Sequence, residues 1–162
     1  MSQGNKPYML SRGEGKPIWF MGALITYKAE GETTANGFGL LEFLLPAGFA
    51  PPPHIHHREE EALYILEGTL TVTCGDQTFT ATPGSFVYIP RGIVHGFQVE
   101  GEKPARVLMI NTPTGLEHYF EEVGEPAREL TLPPPEPPNV EKMLALMAKY
   151  HIEAVGPPPQ ES

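Results

Sequence analysis

The chain has 162 residues, 40% hydrophobic and 19% charged, with 19 Pro and 17 Gly, which suits one globular domain of many short elements and excludes a disordered chain. A formal net charge of −9 excludes the basic face that nucleic acid or an anionic membrane demands. Cys74 is the single cysteine and cannot close an internal disulfide, the opening MSQGNKPYMLSRGEGK lacks the pattern of a secretion leader, and no run approaches 18 apolar residues, so the expected location is the cytoplasm.

From residue 18 to residue 110 the sequence reads as short β-branched and aromatic runs broken by Gly or Pro about every ten residues, the signature of an all-β fold. The predicted strands are 18–28, 38–45, 61–66, 69–73, 77–81, 85–89, 95–99 and 106–110. That number suffices to close a barrel or a two-sheet jelly roll without exposed edges. Glu67-Gly68 and Gly75-Asp76 are expected to be tight hairpin connections. After Thr112-Pro113 the period becomes helical. Leu116, Tyr119, Phe120 and Val123 share one face of a predicted helix over 114–123 with Thr114 as its N-cap. The connector LPPPEPPN is read as a stiff extended spacer. Asn139 is expected to cap a last helix over 140–150, whose stripe of Val140, Met143, Leu144 and Met147 is read as packing on the barrel or on a second subunit. The tail GPPPQES is expected to be mobile. The expected organisation is thus a barrel over 1–113, N-terminal strands included, with a helical extension over 114–162 packed on it as part of the same domain.

The chemistry concentrates in GFAPPPHIHHREEEALYILEG and GSFVYIPRGIVH. His54 and His56 are two residues apart, so on an extended backbone both imidazoles project to one face and share one ion. Glu61 alternates with Leu63 and Ile65, which puts its carboxylate on the interior face. A buried carboxylate there needs a compensating partner, and a divalent ion supplies it. His95 alternates with Phe97 and Val99 and also faces inward, behind the sharp turn that Pro90 and Gly92 impose. Three imidazoles and one carboxylate suit Fe, Mn, Ni, Cu or Zn and suit Ca or Mg poorly. Spacing does not choose among them, and a six-coordinate Fe, Mn or Ni ion, which would leave two positions open, is favoured.

Gly48, His54, His56, Glu61 and Gly68, followed by Gly84, Pro90, Gly92 and His95, resemble the paired motifs of the cupin family at every position but one: Val99 stands where the family commonly has Asn. The resemblance implies a single-domain cupin, a double-stranded β-helix or jelly-roll barrel with short C-terminal helices, and the metal set His54, His56, Glu61 and His95. The family's spacing from its glutamate to Gly68 selects Glu61, leaving Glu59 and Glu60 as solvated charges and His57 and Arg58 on the loop surface. The segments PPPHIHHREEEALYILEG, PRGIVHGFQVEG, LMINTPTGLEHYFEEVG and KYHIEAVGPPP are similar to bacterial cupins described as quercetin 2,3-dioxygenase-like. That similarity implies opening of a flavonol ring with dioxygen, with Glu61 as the catalytic base toward a substrate hydroxyl. Phe43, Leu63, Phe97 and Met109 are the residues expected to line the substrate cavity, although each also reads as ordinary barrel core. Two other functions stay open: a non-redox Lewis-acid reaction such as isomerisation, decarboxylation or hydrolysis, and a non-enzymatic module that binds a small ligand or the metal. A homodimer is expected, through the N-terminal run and the C-terminal helix.

Overall fold

The structure is a computed structural model that describes residues 6–156. Residues 157–162 of the expected mobile tail lie outside the described residues. Two antiparallel sheets face each other across the core. The elements in chain order are β1 (Lys16–Phe20), β2 (Ala23–Ala29), β3 (Gly39–Leu45), β4 (His54–His56), β5 (Glu60–Glu67), β6 (Leu70–Cys74), β7 (Gln77–Ala81), β8 (Phe86–Ile89), β9 (His95–Val99), β10 (Ala105–Thr112), α1 (Leu116–Val123), β11 (Glu125–Pro126), α2 (Val140–Lys149) and β12 (Ile152–Ala154). One sheet runs β11-β1-β2-β3-β10-β5-β8 and the other β12-β4-β9-β6-β7.

Alternation decides which side chains meet. Leu41, Phe43 and Leu45 on β3, Leu63 and Ile65 on β5, and Val107 and Met109 on β10 are buried. They meet Leu70 and Val72 of β6 and Val99 of β9 from the opposite sheet in one continuous core. Burying each such side chain is worth roughly 1.5–3 kcal/mol. Val99 is 1% exposed, so an apolar residue at this position serves the core directly.

The predicted run 18–28 is two strands. Met21 at φ 48° and Gly22 at φ 86° fold it into a hairpin with Phe20 opposite Ala23. Gly75-Asp76 closes the expected hairpin, with Cys74 opposite Gln77. Glu67-Gly68 does not: β5 and β6 lie in different sheets. Gly68, at φ 84°, carries the chain from one sheet to the other so close to β10 that a Cβ there would sit 2.9 Å from Ala105 Cα. A local turn signal does not say whether the two strands it joins will pair.

The C-terminal segment departs further from expectation. Helix α1 starts at Leu116 behind Gly115, with no side-chain cap from Thr114; the Gly115 N–H donates instead to the Glu117 carboxylate. Asn139 caps α2 as expected, its Oδ1 accepting from the Lys142 N–H at 3.0 Å. The segment then ends in a strand. Strand β12 pairs with β4, Ile152 opposite His56 and Ala154 opposite His54.

Candidate metal centre

Strand β4 is short because Pro51, Pro52 and Pro53 precede it: they extend the backbone but donate no hydrogen bonds. Its three residues are held from both sides, by β12 and by β9, where His54 lies directly opposite His95. The loop before β9 is tied down as well, since the Gly92 N–H donates to the His56 carbonyl at 2.8 Å. The three imidazoles therefore sit on one sheet, with ring centroids 4.4 Å (His54 to His95), 4.9 Å (His54 to His56) and 5.3 Å (His56 to His95) apart. One ligating atom from each lies within 4.8 Å of the others. Glu61 comes from β5 in the facing sheet. Its carboxylate spans two of the rings, 3.4 Å from His56 Nε2 and 3.0 Å from His95 Nε2.

Charge in the cluster is unevenly held. Burial pushes the Glu61 carboxyl up, but His56, His95 and His54 together outweigh it and bring it down to about 2, so it is ionised at neutral pH. Burial, then His95 and His56, lowers His54 to about 4. Burial also lowers His56, against the pull of Glu61. His95 moves the other way: burial alone would lower it, and the Glu61 carboxylate beside it reverses the sign. Two imidazoles with free lone pairs and an anionic oxygen thus face a common point. His54 Nδ1 lies 2.8 Å from the Pro52 carbonyl and His95 Nδ1 3.1 Å from that of Ile93, which leaves Nε2 of both rings for the interior. Three nitrogens and one carboxylate oxygen fit a divalent transition ion and would fit Mg or Ca poorly.

Residues 41–111, a span that contains all four of these side chains, match the family described as Cupin domain. The chain carries a cupin domain over these residues. Over 128 residues the cupin is 26% identical to a quercetin 2,3-dioxygenase from Bacillus subtilis, covering 79% of this chain and 38% of that protein. It thus spans well under half the length of that curated relative. A polyketide cyclase, RemF, from Streptomyces resistomycificus is 26% identical with a TM-score of 0.57, over 65% of this chain and 79% of that one. An RmlC-like cupin from Shewanella frigidimarina superposes with a TM-score of 0.58 at 18% identity, over 73% of this chain and 99% of that one, a likeness of fold.

Beside the four side chains the cupin holds a cavity of about 330 Å³. Phe43, Leu63, Phe97 and Met109 all line it, and so do residues the sequence left unmarked as cavity wall: Phe20, Phe49, Tyr119 and Phe120. Phe120 packs edge-on against Phe20 and Phe43, and Phe49 stacks on Phe97. Val140, Met143, Leu144 and Met147 of α2 form another part of the wall. Their stripe is legible as a packing face, but its target, the wall of this cavity, is a tertiary fact. The polar side chains in the lining are the three histidines, Glu61 and Tyr119.

Glu59 does not stand in solvent as the sequence suggested. It is 2% exposed, because the chain bends at His57 and Arg58 and returns the carboxyl beneath His56. Burial, first among several influences, raises it to about 7. Glu60 accepts from Tyr88 and Arg91 at the surface. His57 and Arg58 are exposed as expected. Among the described residues no helix is long and apolar enough to cross a membrane.

Proposed function

We propose that this cupin is a metal-dependent dioxygenase acting on a hydroxylated aromatic molecule of the flavonol type. One observation carries the reading: three imidazoles and a carboxylate converge beside a cavity of about 330 Å³ whose other lining residues are apolar apart from Tyr119 and include five phenylalanines. A space of this size suits a small molecule. The similarity to the Bacillus subtilis quercetin 2,3-dioxygenase supports the same substrate class. A divalent ion held by His54, His56, Glu61 and His95, with Fe, Mn or Ni favoured over Cu or Zn, would supply Lewis acidity toward a substrate hydroxyl and redox chemistry toward dioxygen. Phe43, Leu63, Phe97 and Met109 hold the apolar body of the substrate. Met143 and Met147 cover it and keep bulk water out. Glu61 is the catalytic base. Being ionised, it accepts a hydrogen bond from the hydroxyl, and it takes the proton only when that hydroxyl has been made strongly acidic in the same site. Oxygen uptake by protein loaded in turn with Fe(II), Mn(II), Ni(II) and Cu(II), assayed on a flavonol panel, tests this; no uptake with any metal removes the reading.

The likeness to the polyketide cyclase favours a second reading, in which the same ion acts only as a Lewis acid in a non-redox reaction. Bound Zn(II), with turnover unchanged when oxygen is removed, would select it. A homodimer fits the structure better through the outer face of the larger sheet than through α2, whose Met143 and Met147 are spent on the cavity. On that face Tyr64 stands opposite Phe86, and both are exposed, as are Tyr88 and Ile110. A light-scattering mass near the 17.8 kDa of one chain would contradict the dimer.

A further inference from the structure

The orientation of His56 is unexplained by the backbone. His54 and His95 each direct Nδ1 at the carbonyl two residues back in the chain, Pro52 and Ile93. His56 has no such partner: its Nδ1 is buried and unbonded among the described residues. The atom facing it is Glu59 Oε2, at 3.8 Å, which is also buried and unbonded. Two buried polar atoms of complementary character, about 0.6 Å beyond hydrogen-bond range, each lack any other partner among the described residues. The bend at His57 and Arg58 places one beneath the other.

We propose that Glu59 is a positioning residue, which accepts a hydrogen bond from the His56 Nδ1–H and thereby fixes the ring with Nε2 directed at the metal. The inference rests on the metal-binding reading of His54, His56, Glu61 and His95. Glu59 serves the third imidazole as the Pro52 and Ile93 carbonyls serve the other two, with a side-chain carboxyl oxygen in place of a backbone one. A carboxylate behind a ligating imidazole increases its basicity and locks its tautomer, and losing such a group costs roughly 10- to 100-fold in metal affinity.

The test compares wild type, Glu59→Gln, which keeps an acceptor oxygen, and Glu59→Met, which keeps the volume without one. Each is loaded with Zn(II); affinity is measured by competition with a chromophoric chelator, and the imidazole N–H protons are followed by NMR. In wild type, Nδ1–H signals protected from exchange are expected for all three histidines. Glu59→Gln should shift the His56 signal and weaken zinc binding by only a few-fold. Glu59→Met should abolish the His56 signal and lower affinity roughly 10- to 100-fold, while His54 and His95 keep theirs. Wild-type zinc affinity in Glu59→Met, or a His56 signal that neither substitution moves, overturns the proposal. If Glu59→Met does not fold, the Glu59→Gln shift decides alone: its absence overturns the assignment. Wild type that binds no zinc overturns the metal-binding reading itself, a distinct failure.

Discussion

Replacing His54 by Leu in the metal-free protein separates one buried imidazole from the rest of the centre. Burial, with His95 and His56 adding to it, lowers His54 from 6.5 to about 4. As pH falls, the unfolded chain therefore takes up a proton near pH 6.5, whereas the folded chain resists until about pH 4. Between those values the unfolded state binds one proton more, so stability declines on acidification with a slope of about 1.4 kcal/mol per pH unit. Over the whole window the loss comes to roughly 3 kcal/mol, a large share of the 5–15 kcal/mol that holds an ordinary domain together. Neighbouring groups bend the curve. His56, also lowered, acts in the same direction. His95, raised, stabilises the fold below pH 6.5 and loses that contribution as pH rises through its folded value. Glu61 is lowered from 4.5 to about 2, so its contribution is present above 4.5, begins to be lost at the acid end of this window and is gone only near pH 2. Subtracting the His54→Leu curve from that of wild type removes most of what the two share. Urea denaturation at pH 4, 5, 6 and 7, with chelator present, should show wild type losing roughly 3 kcal/mol relative to His54→Leu on going from pH 7 to pH 4. A difference that stays level across that range would refute the reasoning, because His54 would then be solvated enough to titrate normally.

Three further outcomes are expected. Glu61→Gln removes the one anionic oxygen of the ligand set, so equilibrium dialysis against Mn(II) or Ni(II) should show affinity at least roughly tenfold lower with the fold intact by circular dichroism. Gly39→Ala would place a Cβ 2.5 Å from Glu117 Oε1 and 2.6 Å from Asn111 Oδ1, both on fully buried side chains, and should destabilise the protein by about 1–3 kcal/mol in urea. Asn139→Ala deletes the α2 cap, at a cost of about 1 kcal/mol to that helix. Its signature is faster amide exchange confined to the first turn of α2.

Much of the barrel is legible because strand signals are local. Strands β7 and β9 fall where alternation puts them, and the Gly75-Asp76 turn needs only two residues to be recognised. The hairpin at Met21 and Gly22 is harder to see. Met21 adopts a left-handed conformation that its side chain does not advertise, so the run reads as one strand. Glu67-Gly68 carries the local marks of a hairpin, and only the assembled sheets show that its strands part company. Strand β12 is three residues long and is made by pairing with β4, a contact about a hundred positions away in sequence. No local pattern announces it.

The sequence by itself determined that four side chains would face one interior, since the two-residue period of an extended chain assigns His54, His56, Glu61 and His95 to inward positions whatever the strands later pair with. Distance was a matter for the tertiary structure: β9 and β12 bracket β4, and the facing sheet brings Glu61 to within 3.0 Å of His95 Nε2. The same holds for Glu59 and for α2. A bend of two residues turned an apparently solvated acid into a buried neighbour of His56, and an amphipathic stripe acquired its role only when packing chose the cavity as its partner. Periodicity says which way a side chain points, but burial and contact depend on what the rest of the chain brings opposite it.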